Sequence, residues 1–187
     1  MADAIRVLGV SGSFRNNSLN SALLRAASQL VPEGMAVDIF EGIEKFPFYS
    51  DDLIEEEGFP TEVTEFKDRL KAADGVLIVT PEYNHGIPAV LKNAIDWASR
   101  PVGDSAWAGK PLAIMGCANG QGGTVRAQVQ LRMYAVPLGM YALPRPEVLI
   151  NNARAKFDED LNFTDEQGRN FMQQQLEAFS TWIRRLQ

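Results

Sequence analysis

Short runs of consecutive apolar residues alternate along this chain with longer stretches in which apolar residues return every three or four positions. Residues 5–10, 35–40, 75–80 and 111–116 are mostly apolar on successive positions. That is the pattern of strands covered on both faces, as in a parallel sheet. A weaker fifth strand is expected between residues 140 and 150, interrupted by Pro144 and Pro146. Between the runs, Leu19, Leu23, Ala27 and Leu30 share one helical face. So do Val63, Phe66, Leu70 and Ala73, and then Ile87, Leu91, Ala94, Ile95 and Ala98. Pro88 suits the first turn of that third helix. A less cleanly patterned helix is expected over residues 124–136. The tail places Met172, Leu176, Phe179, Ile183 and Leu186 on one stripe. Thr164 with Gln167 resembles a capping box at its start, and Gly168 weakens that turn.

Strands alternating with helices imply an α/β fold: a doubly wound, five-stranded parallel sheet with helices on both faces and right-handed crossovers. No repeat or linker composition divides the chain, so residues 1–187 are expected to form one domain. Ligands of such sheets lie beyond the carboxyl ends of the strands, where the strand order reverses. In the order 2-1-3-4-5, that point falls between the first and third strands. The loop after residue 10 then lies beside the loop after residue 80.

The first of these loops, Ser11-Gly12-Ser13-Phe14-Arg15-Asn16-Asn17-Ser18-Leu19-Asn20, carries hydroxyls, amides and one arginine just where a helix exposes unpaired N–H groups. Such a loop is an anion site sized for a phosphate, and arginine can grip two phosphate oxygens at once. Polar residues are also what any strand-to-helix loop contains. The glycines do not have the G-x-G-x-x-G spacing of a dinucleotide turn, and a terminal monophosphate suits the loop better. The second loop, Pro81-Glu82-Tyr83-Asn84-His85-Gly86, is bracketed by prolines at 81 and 88. Tyr83 is placed to lie along a planar ligand or simply to pack; Glu82 and Asn84, to bind that ligand or hold the turn. His85 reads as an exposed loop histidine sooner than as an acid-base catalyst. The third loop, Gly116-Cys117-Ala118-Asn119-Gly120-Gln121-Gly122-Gly123-Thr124, has glycines that let backbone N–H groups approach a ligand or merely let the chain turn.

Composition narrows the chemistry. The 187 residues are 45% hydrophobic and 22% charged, ordinary for a globular protein. A net charge of −6 without a basic run argues against nucleic-acid binding. No stretch is apolar for the roughly 20 residues that span a bilayer. The start lacks a secretory pattern, and a single cysteine fits a reducing compartment, so a cytoplasmic protein is expected. One cysteine and one histidine are too few for a zinc site of the Cys/His type, and no metal site is expected. Cys117 reads as a small buried residue. So sparse a set of reactive side chains points to a cofactor that carries the chemistry, with no catalytic side chain.

The motifs G-S-F-R-x-x-S-x-N at residues 12–20 and T-P-E-Y-N-H-G-I-P-A-V-L-K-N-A-I-D-W at residues 80–97 resemble the NADPH-dependent FMN reductase family of flavodoxin-like flavoproteins. The likeness continues through Gly109-Lys110-Pro111, Gly122-Gly123-Thr124-Val125-Arg126-Ala127-Gln128 and Leu131-Arg132, covering roughly residues 5–150. It is nearest the soluble quinone, chromate and azo-dye reducing branch. The resemblance implies FMN as cofactor and NADPH or NADH as reductant, with hydride passing to flavin N5 and on to a small-molecule acceptor. Quinones, azo compounds, free flavin and metal oxyanions or ferric complexes are the implied acceptors. A dedicated FMN reductase serving a partner, or a flavodoxin-like carrier, are the alternatives. By the same resemblance, Ser11, Ser13, Arg15, Asn17, Ser18 and Asn20 form the phosphate loop. Pro81, Glu82, Tyr83 and Asn84 line the ribityl chain and ring. Cys117, Ala118, Asn119, Gly120 and Gly123 form the third flavin-facing segment, with Cys117-Ala118-Asn119 where relatives often have serine. A homodimer or homotetramer is implied, and Trp97 and Trp107 would serve its interface or the core. Arg100 would cap helix carbonyls or reach a site across a subunit boundary.

Overall fold

The computed structural model describes residues 4–187, whose strands join in one parallel sheet. In chain order the strands are β1 (Ile5–Ser11), β2 (Met35–Phe40), β3 (Gly75–Val79), β4 (Pro111–Cys117), β5 (Tyr141–Ala142) and β6 (Val148–Ile150). The helices are α1 (Leu19–Ser28), α2 (Asp51–Glu57), α3 (Thr61–Ala72), α4 (Ala89–Ala98), α5 (Val125–Leu138) and α6 (Glu166–Leu186). The order is β2-β1-β3-β4-β5, with β6 also on β4. β1 lies between β2 and β3, with Leu8 opposite both Asp38 and Val76.

Alternate residues of each central strand feed two cores. Leu8, Val10, Val76, Ile78, Leu112 and Ile114 face α3, α4 and α5. Val7, Leu77, Val79, Ala113 and Met115 face α1 and α6. β3 and β4 are buried along their whole length. That explains their unbroken apolar runs: each pleat face meets a helix layer.

Three details differ from the sequence reading. The fifth strand is two short ones, so the sheet has six strands. β5 pairs with Pro111 and Leu112, β6 with residues 115–117, and the Pro144-Arg145-Pro146 segment lies between them. Proline cannot donate to a ladder, which accounts for the break. The helix α2 was not anticipated. None of its residues is buried, and Ser50 caps it by accepting from Asp52 N, so it carries no long apolar stripe to read. The cap of α6 is Asp165, whose carboxylate accepts from Gly168 N at 2.9 Å, in place of the expected Thr164–Gln167 box. Among the described residues no helix is long and apolar enough to cross a membrane.

The carboxyl ends of β1, β3 and β4 converge closely. A Cβ on Gly12 would stand 2.7 Å from Thr80 Oγ1. On Gly116 it would stand 2.1 Å from Thr124 Oγ1 and 2.4 Å from the Thr80 carbonyl oxygen. Backbone cannot retreat as a flexible side chain does. Gly116→Ala is therefore expected to destabilise the fold by about 1–3 kcal/mol, as overpacking of a dense interior does. Urea denaturation monitored by circular dichroism checks this; an unchanged midpoint would mean that β4 and Thr124 separate freely.

Candidate functional site

The loop after β1 is shaped by its own side chains. Gly12 N donates to Val79 O at 2.8 Å, which carries the chain over the end of β3. Ser11 Oγ and Ser21 Oγ lie 2.8 Å apart, and each is 3.1 Å from Ser13 O. Ser18 caps α1 by accepting from Ser21 N at 3.2 Å. Arg15 donates to Asn17 O at 2.9 Å, holding its guanidinium over the loop. Among the described residues, the backbone N–H groups of residues 14–17, and those of Leu19 and Asn20 in the first turn of α1, have no protein acceptor. Helix N-termini and such nests of N–H groups attract anions.

The loop after β3 is a tight turn. Tyr83 and Gly86 exchange two backbone hydrogen bonds of 2.9 Å, with Asn84 and His85 at φ 50° and 67° between them. Asparagine tolerates this left-handed region better than most residues. The turn sets the Tyr83 ring, 53% exposed, at the rim of a cavity. Glu82 caps α5 from outside: its carboxylate accepts from Arg126 N at 2.8 Å and Ala127 N at 3.1 Å, and pairs with the Arg126 guanidinium. A carboxylate is well placed at a helix N-terminus.

The loop after β4 is fixed by α1. The buried Asn20 amide donates to Cys117 O at 3.0 Å and accepts from Cys117 N at 2.9 Å. Ala118 N donates to Ile150 O at 2.9 Å, and Asn119 Oδ1 accepts from Arg154 N at 3.0 Å. Cys117 and Ala118 therefore have no free N–H. Those of Asn119 and Gly120 have no protein acceptor among the described residues.

Between the three loops lies a cavity of about 230 Å³. Of the expected site residues, Ser13, Arg15, Ser18, Asn20, Pro81, Glu82, Tyr83, Cys117, Ala118 and Asn119 line it. Ser11 lines a second cavity on the far side of the phosphate loop, while Asn17, Asn84, Gly120 and Gly123 line neither. Gly123, at φ 56°, instead packs against the Leu149 and Ile150 backbone. Leu19 and Ala153 also line the first cavity and were not singled out in the sequence. Both are apolar; nothing in their local pattern distinguishes them from core. The donors fit FMN: unpaired N–H groups, the Ser13 and Ser18 hydroxyls and one guanidinium suit a phosphate dianion, and the Tyr83 ring offers a face to a planar ring system.

Four further side chains have definite places. Trp97 and Trp107 are core residues, 0% and 1% exposed, with indole N–H groups donating to Pro47 O and Ile95 O. Arg100 does not cap a helix with its side chain; its Nε donates to Tyr49 OH at 2.8 Å, and this bond raises its own pKa. Cys117 is buried, as its sequence reading has it, and burial pushes its thiol up to about 12.

The sequence and the fold resemble those of known proteins. The family described as NADPH-dependent FMN reductase matches residues 5–155. An NAD(P)H-dependent FMN reductase of Pseudomonas aeruginosa is 46% identical over 186 residues, covering 100% of this chain and 99% of that protein. A 2-hydroxy-1,4-benzoquinone reductase of a Burkholderia species is 40% identical, covering 97% of each chain. The solved structure of FerB, a flavoenzyme NAD(P)H:(acceptor) oxidoreductase from Paracoccus denitrificans, superposes with a TM-score of 0.87 at 35% identity, covering 97% of this chain and 98% of that one.

Two outcomes test the site's construction. Asn20→Ala leaves a buried backbone donor and acceptor at Cys117 unpaired, and is expected to lower stability by about 2–4 kcal/mol. A chemical denaturation series checks it against the wild type. With its pKa at about 12, the Cys117 thiol stays protonated at pH 8. A disulfide exchange reagent is expected to label it only in denaturant, and rapid labelling of the native protein would contradict its placement.

Proposed function

The chain belongs to the NADPH-dependent FMN reductase family, and on that premise we propose that it is a quinone reductase in which the three-loop cavity holds FMN. It is an oxidoreductase with FMN as its cofactor and NAD(P)H as its reductant. When bound, FMN supplies hydride acceptance at N5 and onward electron transfer. The remaining work falls to the chain. The N–H groups of residues 14–17 would donate to the phosphate, and the Arg15 guanidinium would offset its charge. The rigid Tyr83–Gly86 turn aligns one ring face. The Asn119 N–H, with that of Gly120 beside it, would be free to donate to charge that develops on the ring.

The observation that carries this reading is the set of unpaired N–H groups on the loop after β1 and the first turn of α1, of which those of Arg15, Leu19 and Asn20 belong to residues lining the cavity rimmed by Tyr83. Quinones are the preferred acceptors because the relatives include quinone reductases. Azo compounds, free flavin, metal oxyanions and ferric complexes are further acceptors of the same open site. The half-exposed Tyr83 favours exchange of substrates over the shielded flavin of a carrier. We also place the protein in the cytoplasm as one domain, assembled as a homodimer or homotetramer. The exposed α5 residues Val129, Met133 and Val136, spaced along one stripe, suit a second copy.

An anaerobic acceptor panel with NADH and NADPH tests the function. Benzoquinone reduction with FMN retained through gel filtration is expected; turnover confined to free flavin would favour the dedicated FMN reductase. Mass spectrometry of released cofactor is expected to find FMN. Arg15→Ala is expected to weaken FMN by about 1.5–3 kcal/mol while leaving riboflavin affinity nearly unaltered. Fluorescence quenching titrations measure both, and equal losses would mean that Arg15 only supports the loop.

A further inference from the structure

The phosphate loop has a second side. A cavity of about 280 Å³ opens between this loop, α1 and the turn after β2, and none of the expected flavin contacts except Ser11, Ser13 and Arg15 reaches it. Its polar wall carries Arg25 from α1, with Glu41 and Glu44 from the turn that follows β2. Among the described residues none of these three exposed side chains forms an ion pair, and with Arg15 they make four charged residues lining one cavity. Leu24 and Ile39 contribute apolar surface, and the Phe14 ring, 65% exposed, stands against it.

We propose that this cavity receives the adenosine phosphate half of the nicotinamide dinucleotide. The inference rests on the reading of the neighbouring cavity as the flavin site. It follows from chemistry and from reach. An exposed aromatic ring beside an apolar floor stacks a purine. Carboxylates accept from ribose hydroxyls, and a guanidinium grips phosphate. Arg15 lines both cavities, so a pyrophosphate passing from one to the other meets a cation midway. Strand spacing places the end of β2 about 10 Å from the end of β3, two strands across. A dinucleotide whose nicotinamide lies at the Tyr83 end extends over the phosphate loop to this cavity. Glu41 and Glu44 repel a 2′-phosphate on that ribose, while Arg15 is shared with the flavin phosphate. The site therefore favours NADH over NADPH.

The test uses the FMN-loaded protein. AMP, followed by calorimetry, is expected to bind, to compete with NADH and to leave the flavin in place. Arg25→Ala is expected to weaken AMP about tenfold and to raise KM for NADH about tenfold relative to that for reduced nicotinamide mononucleotide, which lacks the adenosine half. The double change Glu41→Gln with Glu44→Gln is expected to narrow the KM gap between NADPH and NADH. Absence of AMP binding to the wild type, or equal KM changes for both reductants in Arg25→Ala, overturns the proposal. So does FAD as the tightly held flavin, because its own AMP half would then fill the cavity. If no nicotinamide reduces the bound flavin, the proposed function fails instead, and the AMP titration still decides the cavity.

Discussion

The pairing of the Asn20 amide with both backbone groups of Cys117 is the constraint on which the site depends. β1 and β4 are not neighbours; β3 lies between them. Their loops would otherwise part by two strand spacings, about 10 Å. Asn20 stands in the first turn of α1, directly after the phosphate loop, and is 5% exposed. Its bonds are therefore shielded from water, where replacing them with solvent is not an option. One side chain thereby fixes the distance between the anion-binding loop and the loop that presents the free N–H groups of Asn119 and Gly120.

Close packing sets the remaining side of the cavity. Thr80, at the end of β3, is in contact range of Gly12 and Gly116, so the three strand ends cannot spread or collapse independently. Glu82 then joins the β3 loop to the N-terminus of α5, and Gln130 on α5 accepts from Ile87 N beyond the turn. The backbone positions that meet a ligand are thus held by side chains turned away from it. This division of labour explains why several residues of the recognition motifs have no free polar group left for a ligand. Asn20 and Glu82 line the cavity, yet their hydrogen-bonding groups are engaged in construction. Preorganised N–H groups are the contacts that remain, and they carry no cost of reorientation when charge arrives.

The central fold was legible because β3 and β4 are covered on both faces and read as unbroken apolar runs. The amphipathic stripes of α1, α3, α4 and α6 likewise face a single core each. The loops were legible as a group, since topology alone brings the ends of β1 and β3 together. What escaped was set by longer-range facts. The split of the fifth strand depends on which edge residues of β4 remain to be paired around Pro144 and Pro146. The short α2 has no fully buried residue, only Leu53 and Ile54 half-buried against the core, and it is capped by Ser50. Trp97 and Trp107 gave no sign of their indole partners, Pro47 O and Ile95 O, one of them 50 residues away in sequence. Arg100 could not be assigned because its partner, Tyr49, lies on a distant loop. The split between two cavities flanking the phosphate loop is likewise a property of the fold: Glu41 and Arg25 approach that loop only when β2 lies beside β1.

Backbone hydrogen exchange, followed residue by residue in stripped protein, in the FMN complex and in the riboflavin complex, is the most direct measurement of whether unpaired N–H groups from the loops after β1 and β4 form one flavin site. Amides that gain an acceptor gain protection. The expected result is that FMN protects residues 14–17 together with Asn119 and Gly120, while riboflavin protects Asn119 and Gly120 and leaves residues 14–17 as exchangeable as in the stripped protein. Protection of residues 14–17 by both flavins alike, or by neither, would contradict the assignment of that loop to the phosphate.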